Sequence, residues 1–425
     1  MVNKEYPRLG ETVYHAQLEN GLHIYVDRKP GFQKSYAFFA TNYGGMDMRF
    51  KLGGQWQDTP AGVAHFLEHK MFDTEDGNAL QDLAANGASP NAFTSSAITG
   101  YYFESTRKFE ENLKILLSFV SIPWFTPESV DKEQGIIGQE IQMIEDDPEW
   151  QVFMNLLSAL YQNHPIRVSV AGSRESISHI TADTLYACHK AFYNPANMVL
   201  CVAGDVDPER ICALAREILP KEGGAEIQRD YGPAEPETAA EPLRELKMAV
   251  STPIFQLGFK ADPAPNGEER LRRQLMGELC MEALLGTSSP LYARLYGEGL
   301  VNNSFGYGYE AYPGCAFLAA GGESRDPEAV RNAVLEEAGR IAGDGIEAGL
   351  WNRLKKAAYG SRVRGLNSFE QICVQLAQGH FAGVEYLRFP EVFDSIERTD
   401  VEDCLRRWVI PERAALAVVR PGGKA

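Results

Sequence analysis

Two stretches about 219 residues apart repeat one another in miniature. Ser176-Ile177, then Thr181, then Pro195 ahead of an apolar strand, are echoed by Ser395-Ile396, Thr399 and Pro411 ahead of Ala414 to Val419. A chain that replays its own element order at half its length must build two similar cores, and 425 residues exceed what one core usually fills. The wider pattern agrees. In the first half, Gly21 to Val26, Tyr36 to Thr41, Phe93 to Ser96 and Gly100 to Ser105 read as strands from their aromatic and β-branched content. Pro60 to Phe72, Phe109 to Val120 and Pro127 to Tyr161 read as helices, the last with a break near Pro148. A helix at Ala182 to Phe192, a strand at Met198 to Val202 and a helix at Pro208 to Leu219 close that half. In the second half a strand at Ile254 to Phe259, helices at Glu268 to Leu285 and Pro290 to Tyr296, and strands near Ser304 to Tyr309 and Cys315 to Gly321 follow in similar order. The expected class is α+β, as a duplicated domain.

Between the halves, EGGAEIQRDYGPAEPETAAEPLRE is rich in Pro, Gly, Ala and Glu and nearly free of large apolar residues, the composition of a linker whose charges form a solvated surface. The predicted layout is residues 1–220 as an N-terminal domain, 221–246 as linker and 247–425 as the C-terminal homologous domain. Acids exceed bases by 17, which disfavours a phosphate-backbone binder and predicts no nucleic-acid partner. There is no apolar run of signal-peptide or membrane-span length, so the expectation is a cytoplasmic chain with no membrane span. Seven scattered cysteines without a C-x-x-C read as reduced core thiols.

The chemistry concentrates in His65-Phe66-Leu67-Glu68-His69, inside a predicted helix. Histidines at i and i+4 lie on one helical face about 6 Å apart along the axis, so both imidazoles can reach one metal ion. This is H-x-x-E-H, the inverse of the zinc-protease H-E-x-x-H, with Glu68 as the base that takes a proton from the attacking water. By composition, the chance count of H-x-x-[DE]-H in such a chain is roughly 0.02. The bland alternative is a pair of surface histidines beside a carboxylate.

A catalytic zinc needs a third protein ligand. Glu133 and Glu140 stand two turns apart on the next long helix, nearly on one face. About 10 Å of axial separation prevents both from being direct ligands of one ion, so one would ligate and the other orient a ligand histidine. Spacing leaves open which does which.

These residues resemble the M16 peptidases (pitrilysin, insulinase, mitochondrial processing peptidase), in which H-x-x-E-H is followed some 70 to 80 residues on by a glutamate ligand, with a second glutamate seven residues before it. Glu140 lies 71 residues beyond His69. The resemblance covers almost the whole chain, and HFLEHKMF, GASPNAFTSS, GIIGQEI and AGSRESISHI look most like the bacterial YmfH-like branch. It implies two α/β-sandwich domains of the LuxS/MPP-like metallohydrolase type, Zn²⁺ held by His65, His69 and Glu140, and Glu133 as supporting acid. It also implies that Asn91, Ala92, Phe93 and Thr94 form an edge strand to which an extended peptide substrate adds by main-chain hydrogen bonds.

The chain departs from the family pattern at one place. Active M16 sites use an Arg and, seven residues later, a Tyr to bind the substrate carbonyl and stabilise the oxyanion. Here the matching stretch places Tyr296 at the Arg position and Asn302 or Asn303 at the Tyr position, while Arg294, two residues early, would face about 200° away. The resemblance then implies a zinc endopeptidase or oligopeptidase that is the metal-bearing subunit of a heterodimer, its homologous partner carrying the Arg/Tyr pair, or else a homodimer. The alternative is a non-catalytic structural or peptide-binding subunit. His164, His179 and His189 read as ordinary residues, and Cys315 as a buried thiol rather than a nucleophile.

Overall fold

A computed structural model of the chain describes residues 1–224 and 226–422. Residue 225, within the stretch read as linker, and residues 423–425, at the end of the second half, lie outside the described residues. Two mixed sheets organise the fold. The first contains β1 (Val2–Tyr6), β2 (Glu11–Gln17), β3 (His23–Arg28), β4 (Ser35–Thr41), β5 (Ala88–Thr94), β6 (Thr99–Ser105) and β7 (Met198–Gly204), in the order β1-β2-β3-β7-β4-β6-β5. β4 and β7 are buried along their whole length, which is why SYAFFAT and MVLCVAG read as continuous apolar runs instead of alternating ones.

The second sheet contains β8 (Leu243–Met248), β9 (Ile254–Ala261), β10 (Gly306–Tyr312), β11 (Cys315–Glu323) and β12 (Ala414–Pro421), in the order β8-β12-β9-β11-β10. Its strands repeat the pattern β3-β7-β4-β6-β5. In each sheet the first two strands of that series are parallel and the remaining pairings antiparallel. The duplication therefore extends to sheet order and strand direction, and the first sheet adds β1 and β2 at one edge. The short sequence echo also has its counterpart: a helix at Ala182–Phe192, a single 3-10 turn at Pro195–Asn197 and β7 match a helix at Arg398–Trp408, a turn at Pro411–Arg413 and β12.

The chain gathers into two compact units made of discontinuous segments. One comprises Met1–Ile141, Val168–Tyr231 and Val363–Leu387; the other Gln142–Arg167, Gly232–Arg362 and Arg388 onward. Each unit thus includes a helix from the opposite half of the sequence. In the first, α4 (Phe369–Phe381) lies on β7 and β4. In the second, α3 (Pro148–Leu160) lies on β9 and β12, where Val152, Leu156 and Leu160 join Phe317, Ala415, Ala417 and Val419 in one buried cluster. Gly258 on β9 permits this approach, since a Cβ there would come within 2.9 Å of Leu156 Cδ1. α3 follows α2 (Pro127–Asp146) directly, and the expected break falls where Asp147 caps α3 by accepting from the Glu149 and Trp150 amides, with Pro148 in its first turn.

Two parts of the stretch read as linker pair as strands: Gln228–Arg229 with Arg49–Leu52, and β8 with β12. Its charges are not all a solvated surface either. Lys260, 4% exposed, donates to Glu235 Oε2 (2.9 Å) and to the carbonyls of Pro236 (2.9 Å) and Thr238 (3.0 Å), and lies 4.9 Å from the centre of the Tyr161 ring. Glu235 also accepts from the Gln162, Asn163 and His164 amides. A buried ammonium requires such a set of acceptors.

Candidate metal centre

The first histidine pair stands on α1 (Val63–Met71). Gly62 starts this helix at φ 96°, and a Cβ there would meet the Ala171 carbonyl oxygen at 2.7 Å, so the entry requires glycine on both counts. Val63, Ala64, Phe66, Leu67 and Met71 are buried, which fixes the rotation of the helix and leaves His65 and His69 together on its half-buried side. Their ring centroids are 4.6 Å apart.

α2 supplies both glutamates. Val130, Ile137 and Ile141 anchor one stripe of it in the core, and the neighbouring stripe carries Glu133 and Glu140 toward α1. Glu140 Oε1 lies 3.4 Å from His65 Nε2, and its Oε2 lies 3.4 Å from His69 Nε2. Glu133 instead meets the far side of the second ring, with Oε1 3.1 Å from His69 Nδ1. The geometry separates the two carboxylates: one faces both Nε2 atoms, the other holds the back of one imidazole.

Three donor atoms from His65, His69 and Glu140 lie within 4.8 Å of one another. The Glu140 carboxylate sets one oxygen 3.4 Å from each Nε2 atom, so the three side chains are close enough together to act as ligands of one ion. Two imidazole nitrogens and one carboxylate form a donor set suited to zinc, which would leave a fourth position for a non-protein ligand. The Glu140 side chain is 39% exposed, so the centre opens to solvent on that side. His65 Nδ1 is buried without a hydrogen-bond partner among the described residues, whereas His69 has Glu133.

Charge within the cluster is mutually adjusted. Burial pushes the Glu68 carboxyl above the usual carboxylate range, against the pull of the His65 and His69 rings and of Thr94. For His69, burial is the largest single influence and acts downward, but the Glu133 hydrogen bond and the charges of Glu68, Glu140 and Glu133 together raise it. The adjacent His65 ring holds Glu140 below its ordinary value.

Asn91, Ala92, Phe93 and Thr94 lie on β5, which among the described residues pairs only with β6 and forms the outer edge of the first sheet. Thr94 Oγ1 donates to Glu68 Oε2 at 3.1 Å, a contact that sequence could not show because the two residues are 26 positions apart on different elements. In the second unit Tyr296 is exposed, its hydroxyl 3.4 Å from Asn303 Oδ1, while Asn302 donates to Glu323. His164 braces a turn, with Nε2 3.0 Å from the Pro313 carbonyl oxygen, and His189 is buried against the Val120 carbonyl. Cys315 is buried and its thiol is pushed up to about 12, which makes it inert as a nucleophile.

In comparison with known proteins, two family models match successive stretches of the chain. Residues 53–174 match the family model for insulinase (peptidase family M16), and residues 179–358 match that for the peptidase M16 inactive domain. The chain is 39% identical over 423 residues to the uncharacterized zinc protease YmfH of Bacillus subtilis (strain 168), covering 98% of both chains. It is 27% identical over 388 residues to a zinc protease of Mycobacterium leprae, covering 85% of this chain and 83% of that one. Among solved structures, an M16-like peptidase of Alicyclobacillus acidocaldarius superposes with a TM-score of 0.93 at 30% identity, covering 99% of this chain and 100% of that chain. A Helicobacter pylori protease shares the fold at a TM-score of 0.81 and 15% identity, covering 96% and 99%. With two M16-type domains and a His-His-Glu cluster in the first, the chain belongs to the M16 (insulinase) family of peptidases.

Proposed function

We propose that the protein is a zinc-dependent endopeptidase or oligopeptidase in which His65, His69 and Glu140 hold the metal. The observation that carries this reading is the convergence of both Nε2 atoms on the two oxygens of Glu140, with the Glu68 carboxyl beside them. When bound, zinc supplies a Lewis acid that polarises the scissile carbonyl and acidifies water. Glu68 takes the proton of the attacking water and passes it to the leaving amine. Glu133 holds His69 through Nδ1, fixing the tautomer that presents Nε2. The free edge of β5 at Asn91 to Thr94 receives an extended peptide as an added strand.

Tyr296, Asn302 and Asn303 stand where the family's carbonyl-binding Arg and Tyr are expected, so a homologous partner subunit supplies that pair. The same residues favour, as second reading, a non-catalytic peptide-binding subunit. Hydrolysis of a mixed quenched-fluorescent peptide library separates the two readings. The zinc-loaded chain, alone and with an Arg/Tyr-bearing homologue, is assayed beside Glu68→Gln. Cleavage lost by about 10²- to 10⁴-fold in the variant supports the peptidase. Peptide binding without cleavage in every combination supports the binding subunit.

A further inference from the structure

The residue that ends the proposed peptide-binding strand also touches the proposed base. Thr94 is the last residue of β5 and is paired with Thr99 of β6, so its backbone is fixed by the sheet. A β-branched side chain on a fixed strand has a restricted χ1, and Thr94 Oγ1 donates to Glu68 Oε2 at 3.1 Å. That is the one side-chain hydrogen bond Glu68 makes among the described residues. Glu68 differs in this from its neighbours, since His65 and His69 face Glu140, and His69 is held from behind by Glu133. Glu68 is itself buried, 8% exposed, but a base must come within about 2.6–3.2 Å of the proton it removes, which packing alone does not set.

We infer that Thr94 is a positioning residue for Glu68: its hydroxyl anchors Oε2 and leaves Oε1 aimed at the attacking water. The inference rests on the peptidase reading above and deepens it. One strand end then sets both the register of the bound peptide and the aim of the base, so the two are aligned without either depending on a loop.

Thr94→Val keeps the branched shape and removes only the hydroxyl; Thr94→Ser keeps the hydroxyl. Both are assayed with the wild type and Glu68→Gln, in whichever form hydrolyses peptides, alone or with the partner subunit. Zinc content and thermal midpoint are measured alongside. Thr94→Val is expected to lower kcat by about 10- to 100-fold with KM within twofold and with zinc and stability unchanged, while Thr94→Ser restores most of kcat. Wild-type kcat in Thr94→Val, an equal loss in Thr94→Ser, or loss of zinc or stability in Thr94→Val overturns the positioning role while leaving the peptidase intact. Absence of hydrolysis by the wild type in both forms, or full activity of Glu68→Gln, refutes the peptidase reading itself and this inference with it.

Discussion

Glu133 Oε1 lies 3.1 Å from Nδ1 of His69, while Nε2 of the same ring faces Glu140. One imidazole is therefore held from both sides by carboxylates two turns apart on one helix. The back-side carboxylate sets which nitrogen carries the proton, and its removal leaves the ring free to rotate. Glu133→Gln and Glu133→Ala are expected to weaken zinc affinity by about 10- to 100-fold, with Ala the worse, as read by competition with a chromogenic chelator. Unchanged affinity in both would show that packing alone orients His69.

Zinc held as proposed by His65, His69 and Glu140 would also couple to stability, because the three donors come together across two helices of the folded chain. At a free zinc concentration of 100 times Kd, the gain is about 2.7 kcal/mol. The thermal midpoint is expected to rise on zinc addition, fall with a chelator, and lose this response in Glu140→Ala. A zinc-dependent rise that persists in Glu140→Ala would place the ion elsewhere.

Buried Lys260 and half-buried Glu235 form a pair that no strand or helix pattern predicts. Removing the carboxylate leaves an ammonium that is 4% exposed with only carbonyl acceptors. Glu235→Ala is expected to destabilise by about 3–5 kcal/mol in denaturant unfolding, and Lys260→Met in the same background to recover part of that loss. Additive losses in the double variant would refute the pairing.

Three of the eight histidines meet where α4 lies against the first sheet. His15 Nε2 and His23 Nδ1 are 2.9 Å apart and share one proton; the His23 and His380 rings are 4.4 Å apart; Tyr25 Oη lies 3.2 Å from His380 Nδ1. Burial first, then the neighbouring rings, lowers His15 and His380 to about 4, with Lys4 acting the same way on His15 and Glu385 opposing. Their folded values lie below the ordinary 6.5, so the unfolded chain binds more protons between the two. Their contribution to stability is whole above about pH 6.5 and is lost as pH falls toward about 4. The thermal midpoint is expected to drop across that window, and His15→Gln with His380→Gln to flatten the drop, because the paired rings then no longer resist protonation. A slope unaltered by both substitutions would assign acid sensitivity to other groups.

Leu156 on α3 is fully buried against strands of the second sheet. Leu156→Ala is expected to cost about 2–5 kcal/mol, a loss suited to a core residue and far beyond that of a surface helix position. A change below about 0.5 kcal/mol would mean α3 does not pack there in solution.

Much of this protein is determined by sequence alone, wherever the governing physics is local. His65 and His69 share a face because four residues nearly complete a helical turn, and Pro148 marks the start of a new helix because proline lacks the amide that an interior turn needs. β4 and β7 declare themselves as central strands by unbroken apolar runs, and the halves betray their common plan by the spacing of Ser176, Pro195, Ser395 and Pro411. Contacts between distant segments were decided only by tertiary structure. Periodicity places Glu133 and Glu140 on one face but is symmetric between them; the docking angle of α2 on α1 is what turns one toward both Nε2 atoms and the other toward Nδ1. The sequence likewise reads Pro127 to Tyr161 as helical with a break near Pro148 without saying which sheet α3 covers, and marks Glu235 as one more charge in a polar stretch. An apolar stripe or a carboxylate specifies the kind of partner it needs, and the partner itself is chosen by shape and by which buried groups remain to be satisfied.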